Sequence, residues 1–152
     1  MKIENRLRDL GIELPPAPSA AAVYVPAVLS EKYVFVAGQT PKNGTQLIYK
    51  GKLGDTLSVE EGYEAAKICA LRCISAVNGI IDDLDQIEKI VQMTGYVNCT
   101  DDFEQHSLVI NGASELLEKV FGESGKHSRV AVGINACPGQ AAVEIQMIVK
   151  IK

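Results

Sequence analysis

The C-terminal end of the chain constrains its fold more than any other stretch. His127-Ser128-Arg129-Val130-Ala131-Val132-Gly133-Ile134 leads to a turn at Pro138-Gly139, and Ala142-Val143-Glu144-Ile145-Gln146-Met147-Ile148-Val149 follows. Both stretches are rich in β-branched residues and bounded by turn residues, so they read as two neighbouring β-strands. Each holds one charge in an otherwise small or apolar setting. Charges are depleted inside strands, and a buried one needs a partner. A guanidinium that can grip a carboxylate, near a carboxylate that can handle a proton, is a candidate small-molecule site built on Arg129 and Glu144. Whether the two share a face depends on register, because a slip of one residue reverses every side chain. The length of the Asn135-to-Gln140 turn leaves that register open.

The remaining elements can be read in order. Residues 2–10 suit a short helix with Ile3, Leu7 and Leu10 on one face and Gly11 as its stop. The clustered prolines of Leu14-Pro15-Pro16-Ala17-Pro18-Ser19 forbid helix and require an extended linker. Tyr24 to Leu29 and Tyr33 to Gln39 form two strands around Ser30-Glu31-Lys32. The apolar run Tyr33-Val34-Phe35-Val36-Ala37 marks the second as central. Pro41-Lys42-Asn43-Gly44 is a turn, and residues 47–54 are a loop or weak strand. Ser58-Val59-Glu60-Glu61 is a capping box opening a long helix, with apolar residues at helical spacing from Val59 to Leu84. Ile90 to Asn98 alternates as a strand. Asp101 and Glu104 start a second long helix, whose inner face carries Phe103, Ile110, Ala113, Leu117 and Phe121, and which ends at Gly122. The expected fold is α+β: one domain over residues 1–152, with a mixed sheet, two helices on one face, and residues 1–20 as an N-terminal helix and Pro-rich linker. Two helices cover only one face of such a sheet. The other still carries Val, Ile and Met, so a homo-oligomer is expected.

Composition bounds the function. The 152 residues carry a net charge of −4 and contain no cluster of Lys and Arg, which argues against a nucleic-acid surface. No apolar run approaches the length of a bilayer span, and the charged N-terminal segment lacks the apolar core of a signal peptide, so a cytoplasmic protein is expected. The cysteines, Cys69, Cys73, Cys99 and Cys137, form no Cys-x-x-Cys pair, and His106 and His127 are not spaced for zinc. No zinc site is expected from this spacing. Cys69 and Cys73 lie one helical turn apart on an apolar face and read as small buried hydrophobes. Cys99 and Cys137 have no sequence-adjacent His to activate them. His127 reads as an exposed loop residue that shares a face with Arg129 if the strand already runs there. Gln39 reads as a side chain that satisfies backbone at a strand end.

Several segments together resemble the Rid (reactive intermediate deaminase, or YjgF) superfamily. They are Tyr24-Val25, the run Val34-Phe35-Val36-Ala37-Gly38-Gln39-Thr40-Pro41, the Asn111 segment of the second helix, Ser128-Arg129-Val130-Ala131-Val132, Pro138, and Val143-Glu144-Ile145. The N-terminal extension and Ile110-Asn111-Gly112-Ala113-Ser114 look like the putative-endoribonuclease branch. The resemblance implies a chorismate-mutase-like fold of the bacillus type. It also implies a homotrimer with an inner barrel of sheets and sites in clefts between subunits. The implied activity is cofactor-free hydrolysis of 2-imino or enamino acids to 2-oxo acids and ammonia. Arg129 would bind the substrate carboxylate and Glu144 would position or activate water. Tyr24 would line the pocket, Asn111 would support it, and Gly38 would let backbone approach the ligand. Two positions depart from the archetype. Ala37 replaces a Ser, which removes a hydroxyl, and Ala131 replaces a Cys, where a backbone carbonyl role would survive. A trimer that binds a small carboxylate-bearing metabolite without turnover is the alternative. An endoribonuclease or translation inhibitor fits the acidic chain poorly.

Overall fold

Ser58 stops the chain from entering its long helix any earlier. Its hydroxyl accepts from the Glu61 backbone N–H at 3.1 Å, and the Glu61 carboxylate accepts from the Ser58 N–H at 3.0 Å. This capping box satisfies donors that a helix start leaves orphaned. The computed structural model describes residues 2–19 and 22–152; Met1 and Ala20, the expected outer limits of the N-terminal helix and linker, lie outside the described residues with Ala21. The elements are α1 (Lys2–Asp9), β1 (Ala27–Ser30), β2 (Tyr33–Gln39), β3 (Lys42–Asn43), β4 (Gln46–Leu47), α2 (Val59–Ile81), β5 (Ile87–Asn98), α3 (His106–Phe121), β6 (Ser128–Ile134) and β7 (Val143–Ile151). β3 and β4 form a small separate hairpin around Gly44.

Five strands make the main sheet, in the order β1-β2-β7-β5-β6. β5 and β6 pair in parallel and every other pair is antiparallel, so the sheet is mixed, as expected. The expected neighbour relation of the last two strands is wrong: β5 lies between β6 and β7. A parallel pair cannot be closed by a tight turn and needs a crossover. α3 is that crossover, and β7 then returns antiparallel to both β2 and β5.

Both long helices cover one face. Val34, Met93, Val97, Val143, Ile145 and Val149 point into it and are buried. α2 runs along β7, and the Cys69 and Cys73 thiols reach the Val143 and Ile145 carbonyls at 3.7 and 3.5 Å. The helices sit close. A Cβ on Gly112 would lie 2.0 Å from the Tyr63 carbonyl oxygen, and one on Gly95 would strike Ile110.

β5 begins at Ile87 rather than Ile90 and α2 ends at Ile81 rather than near Leu84, and two further boundaries move for a visible reason. The first strand begins at Ala27 rather than Tyr24, because Pro26 has no N–H to give a ladder and the preceding residues bend away. The second helix begins at His106 rather than near Asp101, because Thr100 ties up the local turn. Its hydroxyl donates to Asp102 at 2.7 Å, and its carbonyl accepts from the Phe103 N–H. Phe103 therefore packs on the core from a turn, not from the helix.

The opposite face of the sheet is uncovered. Val28, Phe35 and Ile148 form a cross-strand row at one side, and Val130 and Val132 stand at the other, with Gln92, Thr94 and Gln146 between. Phe35 is 46% exposed and Val130 48%, which is high for strand residues of this size. No helix among the described residues is long and apolar enough to cross a membrane.

The closest helix contact gives a test of the packing. Gly112→Ala should lower stability by about 3 kcal/mol in urea unfolding, because the clash is with backbone that cannot rotate away. Ser58→Ala, which removes only the cap, should cost about 1 kcal/mol.

Candidate functional site

Arg129 lies on β6 with its side chain on the helix-covered side of the sheet, since its β5 partner Met93 points into the core. β6 is an edge strand, so the guanidinium lies in the groove between β6 and α3. Nη1 donates to the Ser114 hydroxyl at 2.9 Å and Nη2 to the Ser107 carbonyl at 3.2 Å. Both acceptors are neutral. Among the described residues, no carboxylate pairs with Arg129. A guanidinium has five N–H groups, and these two contacts leave three for a ligand. Asn111 lies one turn from both Ser107 and Ser114 on the same side of α3, so helix geometry places it beside Arg129. Ala131, two residues along β6, lines the same groove.

Glu144 sits elsewhere. Its partner across β7–β5 is Tyr96, whose β6 neighbour is Val132, a row on the uncovered face. Arg129 and Glu144 therefore point to opposite faces of the sheet, with β5 between their strands. The expectation that they could form one site within one copy of the chain is corrected by this register. The Glu144 carboxylate lies over Gly38: a Cβ there would come within 2.6 Å of Oε1. Gly38 thus makes room for the carboxylate, at a β-bulge between Val36 and Gln39 where β2 and β7 lose register. Burial of about half of Glu144 pushes its pKa above the ordinary value of 4.5. Its charge, after burial, raises Cys137 to about 12. Ala37 is half-buried on the same strand beside Gly38, and Gln39 is buried with its amide donating to the Ala37 carbonyl at 3.2 Å, the backbone role expected of it. Tyr24 stands apart in an exposed bend and reaches neither group within one copy.

Four contacts could not be read from the sequence. Ser114 belongs to the motif around Asn111, but its contact with Arg129 spans 15 residues. His127 is not a free loop side chain: it meets the Ser114 hydroxyl at 2.9 Å and the Gly125 carbonyl at 2.6 Å. It does share a side with Arg129, through Ser114. Cys99, which lacks a sequence-adjacent His, has His106 Nε2 at 3.4 Å from its sulfur. A Cβ on Gly133 would lie under 3 Å from both, so any larger residue there would push this pair aside. Burial raises the Cys99 pKa, and those of Cys69 and Cys73, so all three are protonated thiols at neutral pH. No group of three or more His, Cys, Asp or Glu side chains that could hold a metal ion occurs among the described residues.

The raised pKa of Glu144 has a signed consequence. Folding penalises the charged form, so the group's contribution to stability is complete below the ordinary carboxylate pKa. It is lost as pH rises through the higher folded value. Glu144→Gln should therefore be more stable than the parent at pH 7, with the gap closing below about pH 4 in denaturant unfolding series. A gap that persists in acid would contradict the desolvation.

Comparison with known proteins places this geometry in a family. A family model described as YjgF/chorismate mutase-like, putative endoribonuclease, matches residues 4–149. Protein TCP17 of Trypanosoma cruzi is 40% identical over 151 residues, which span 99% of this chain and 94% of that protein. The crystal structure of Atu1372, a protein of unknown function from Agrobacterium tumefaciens, matches with a TM-score of 0.92 at 38% identity, covering 99% of this chain and 93% of that one. A putative endoribonuclease of Shewanella oneidensis matches with a TM-score of 0.94 at 30% identity, covering 98% and 99%. With its mixed sheet, two covering helices and nearly full-length matches, the chain belongs to the YjgF/chorismate mutase-like, putative endoribonuclease family.

Proposed function

We propose that the protein hydrolyses reactive 2-imino or enamino acids to 2-oxo acids and ammonia, without a cofactor, at sites shared between copies of the chain in a homotrimer. The observation that carries this reading is the state of Arg129. It is an Arg anchored by two neutral oxygens, with donors to spare and no carboxylate partner among the described residues. Such a group suits bidentate capture of a substrate carboxylate.

The chemistry asks little more. The carbon of a protonated imine is already electrophilic, so a positioned water adds to it. The resulting carbinolamine collapses to the 2-oxo acid and ammonium. Glu144 has the properties of the base in this scheme: it takes a proton from the attacking water and returns it to the leaving amine. Its raised pKa makes it a better base than an ordinary carboxylate. Arg129 fixes the substrate relative to that water, which supplies orientation. Gly38 and Ala37 border the carboxylate, Asn111 and Ala131 border the guanidinium, and Tyr24 closes the cleft from its exposed bend.

Because Arg129 and Glu144 occupy opposite faces, one active site must take Arg129 from one copy and Glu144 from another. The uncovered apolar face supports association of copies, and a closed ring satisfies every copy equally. A net charge of −4 weighs against RNA as the substrate.

Wild-type protein should speed the loss of imines released by an amino-acid oxidase or a threonine dehydratase, and Arg129→Ala should reduce that by about 100-fold or more. An unchanged imine lifetime with wild type would sink the enzymatic reading, and a carboxylate bound without turnover would leave a binding protein in its place. For the assembly, sedimentation should give about 49 kDa, three times the 16.3 kDa chain. Co-expressed Arg129→Ala and Glu144→Gln chains, each inactive alone, should recover about one quarter of wild-type activity by random assortment of the two halves. No recovery in mixed trimers would show that the halves do not meet.

A further inference from the structure

For a neutral His127, the groups behind Arg129 have only one consistent set of proton positions. His127 Nδ1 lies 2.6 Å from the Gly125 carbonyl oxygen, which can only accept, so Nδ1 carries a proton. In the neutral ring Nε2 is then a bare acceptor. Ser114 Oγ lies 2.9 Å from it, so the hydroxyl donates to His127. That turns the lone pairs of Ser114 Oγ outward, and Arg129 Nη1 donates to one of them at 2.9 Å. The result is a directional chain in which Arg129 donates to Ser114, Ser114 to His127, and His127 to backbone.

We propose that Ser114 and His127 are positioning residues that set the plane of the Arg129 guanidinium for a carboxylate ligand. A lone serine hydroxyl is a weak anchor because it rotates and can turn its proton toward the arginine. His127 removes that freedom. It holds the hydroxyl proton, so the oxygen always presents acceptor density to Nη1. The Ser107 carbonyl fixes the second nitrogen, Nη2. Two fixed acceptors on two nitrogens define the guanidinium plane, and the unused N–H groups then face the open side of the groove. Three elements meet here: α3 brings Ser107 and Ser114, the segment entering β6 brings His127, and β6 brings Arg129. A carboxylate could not serve in place of this neutral chain, because it would pair with Arg129 and compete with the ligand.

This inference deepens the proposed function and rests on its reading of Arg129 as a carboxylate binder, but its test does not depend on turnover. The probe is 2-oxobutyrate, measured by calorimetry on the whole protein. Ser114→Ala and His127→Ala should each weaken its binding by about 10-fold. Ser114→Thr, which keeps a hydroxyl, should restore most of the affinity. His127→Gln, whose amide oxygen can accept from Ser114, should do better than His127→Ala. Nitrogen-15 spectra should show His127 as the Nδ1–H tautomer in wild type, with its Nε2 resonance shifted in Ser114→Ala. If the imine assay succeeds, the variants should raise KM and also lower kcat, because a looser guanidinium both binds the carboxylate and orients the substrate less well. Equal affinity in wild type and both alanine variants, with the fold intact by thermal unfolding, overturns the positioning role. So does an Nε2–H tautomer, or wild type that does not bind 2-oxobutyrate. Wild type that binds 2-oxobutyrate but leaves imines untouched removes the proposed reaction and, with the variant affinities as expected, leaves this inference standing.

Discussion

The parallel pairing of β5 with β6 organises everything around the candidate site. Parallel neighbours need a crossover long enough to return the chain to the same end of the sheet, and α3 is that crossover. It must pack beside the strand it feeds. α3 therefore runs along β6 and supplies the Ser107 carbonyl and Ser114 hydroxyl that hold Arg129. The same pairing leaves β6 as an edge strand, so the groove is open on one side. β7 takes the other flank of β5, which separates Glu144 from Arg129 by a strand and by a face of the sheet.

The two charges are held in different ways, and neither is neutralised by the other. Arg129 is clamped by neutral groups, which cost a ligand nothing in competition. Glu144 sits half-buried over a glycine, where desolvation disfavours its charge. A carboxylate in that state lowers the stability of the isolated fold at neutral pH. Proteins tolerate such groups where they act. The uncovered face, apolar at both sides and polar through Gln92, Thr94 and Gln146, is what would carry one copy's Glu144 toward another copy's Arg129. The close glycine contacts at Gly95 and Gly112 belong to the covered face, and they fix how near the helices come to the strands.

Much of the local structure was legible because its causes are local. The Ser58–Glu61 capping box, the Gly11 stop, the apolar alternation of β2 and β7, and the helical spacing of Cys69 and Cys73 each depend on residues within a few positions of one another. The misplaced ends, at Tyr24 and Asp101, come from local competition: Pro26 lacks a donor, and Thr100 diverts the turn that Asp101 and Glu104 would otherwise cap. The contacts that define the site were not legible, because they join distant residues. Cys99 meets His106 across a turn, and Ser114 meets His127 and Arg129 from a different element.

By itself, then, the sequence determined which segments are helix or strand, which residues are apolar inward, and that Arg129 and Glu144 are the charges needing an explanation. Periodicity, caps and the expense of charge in a strand are enough for that. Strand order and side were decided only by the tertiary structure, because a two-residue period says which residues share a face within one strand. It does not say which strands are neighbours. Inserting β5 between the last two strands is a choice made by the crossover of α3 and the whole sheet. That choice put what looked like a pair of charges in a hairpin on opposite faces of the sheet.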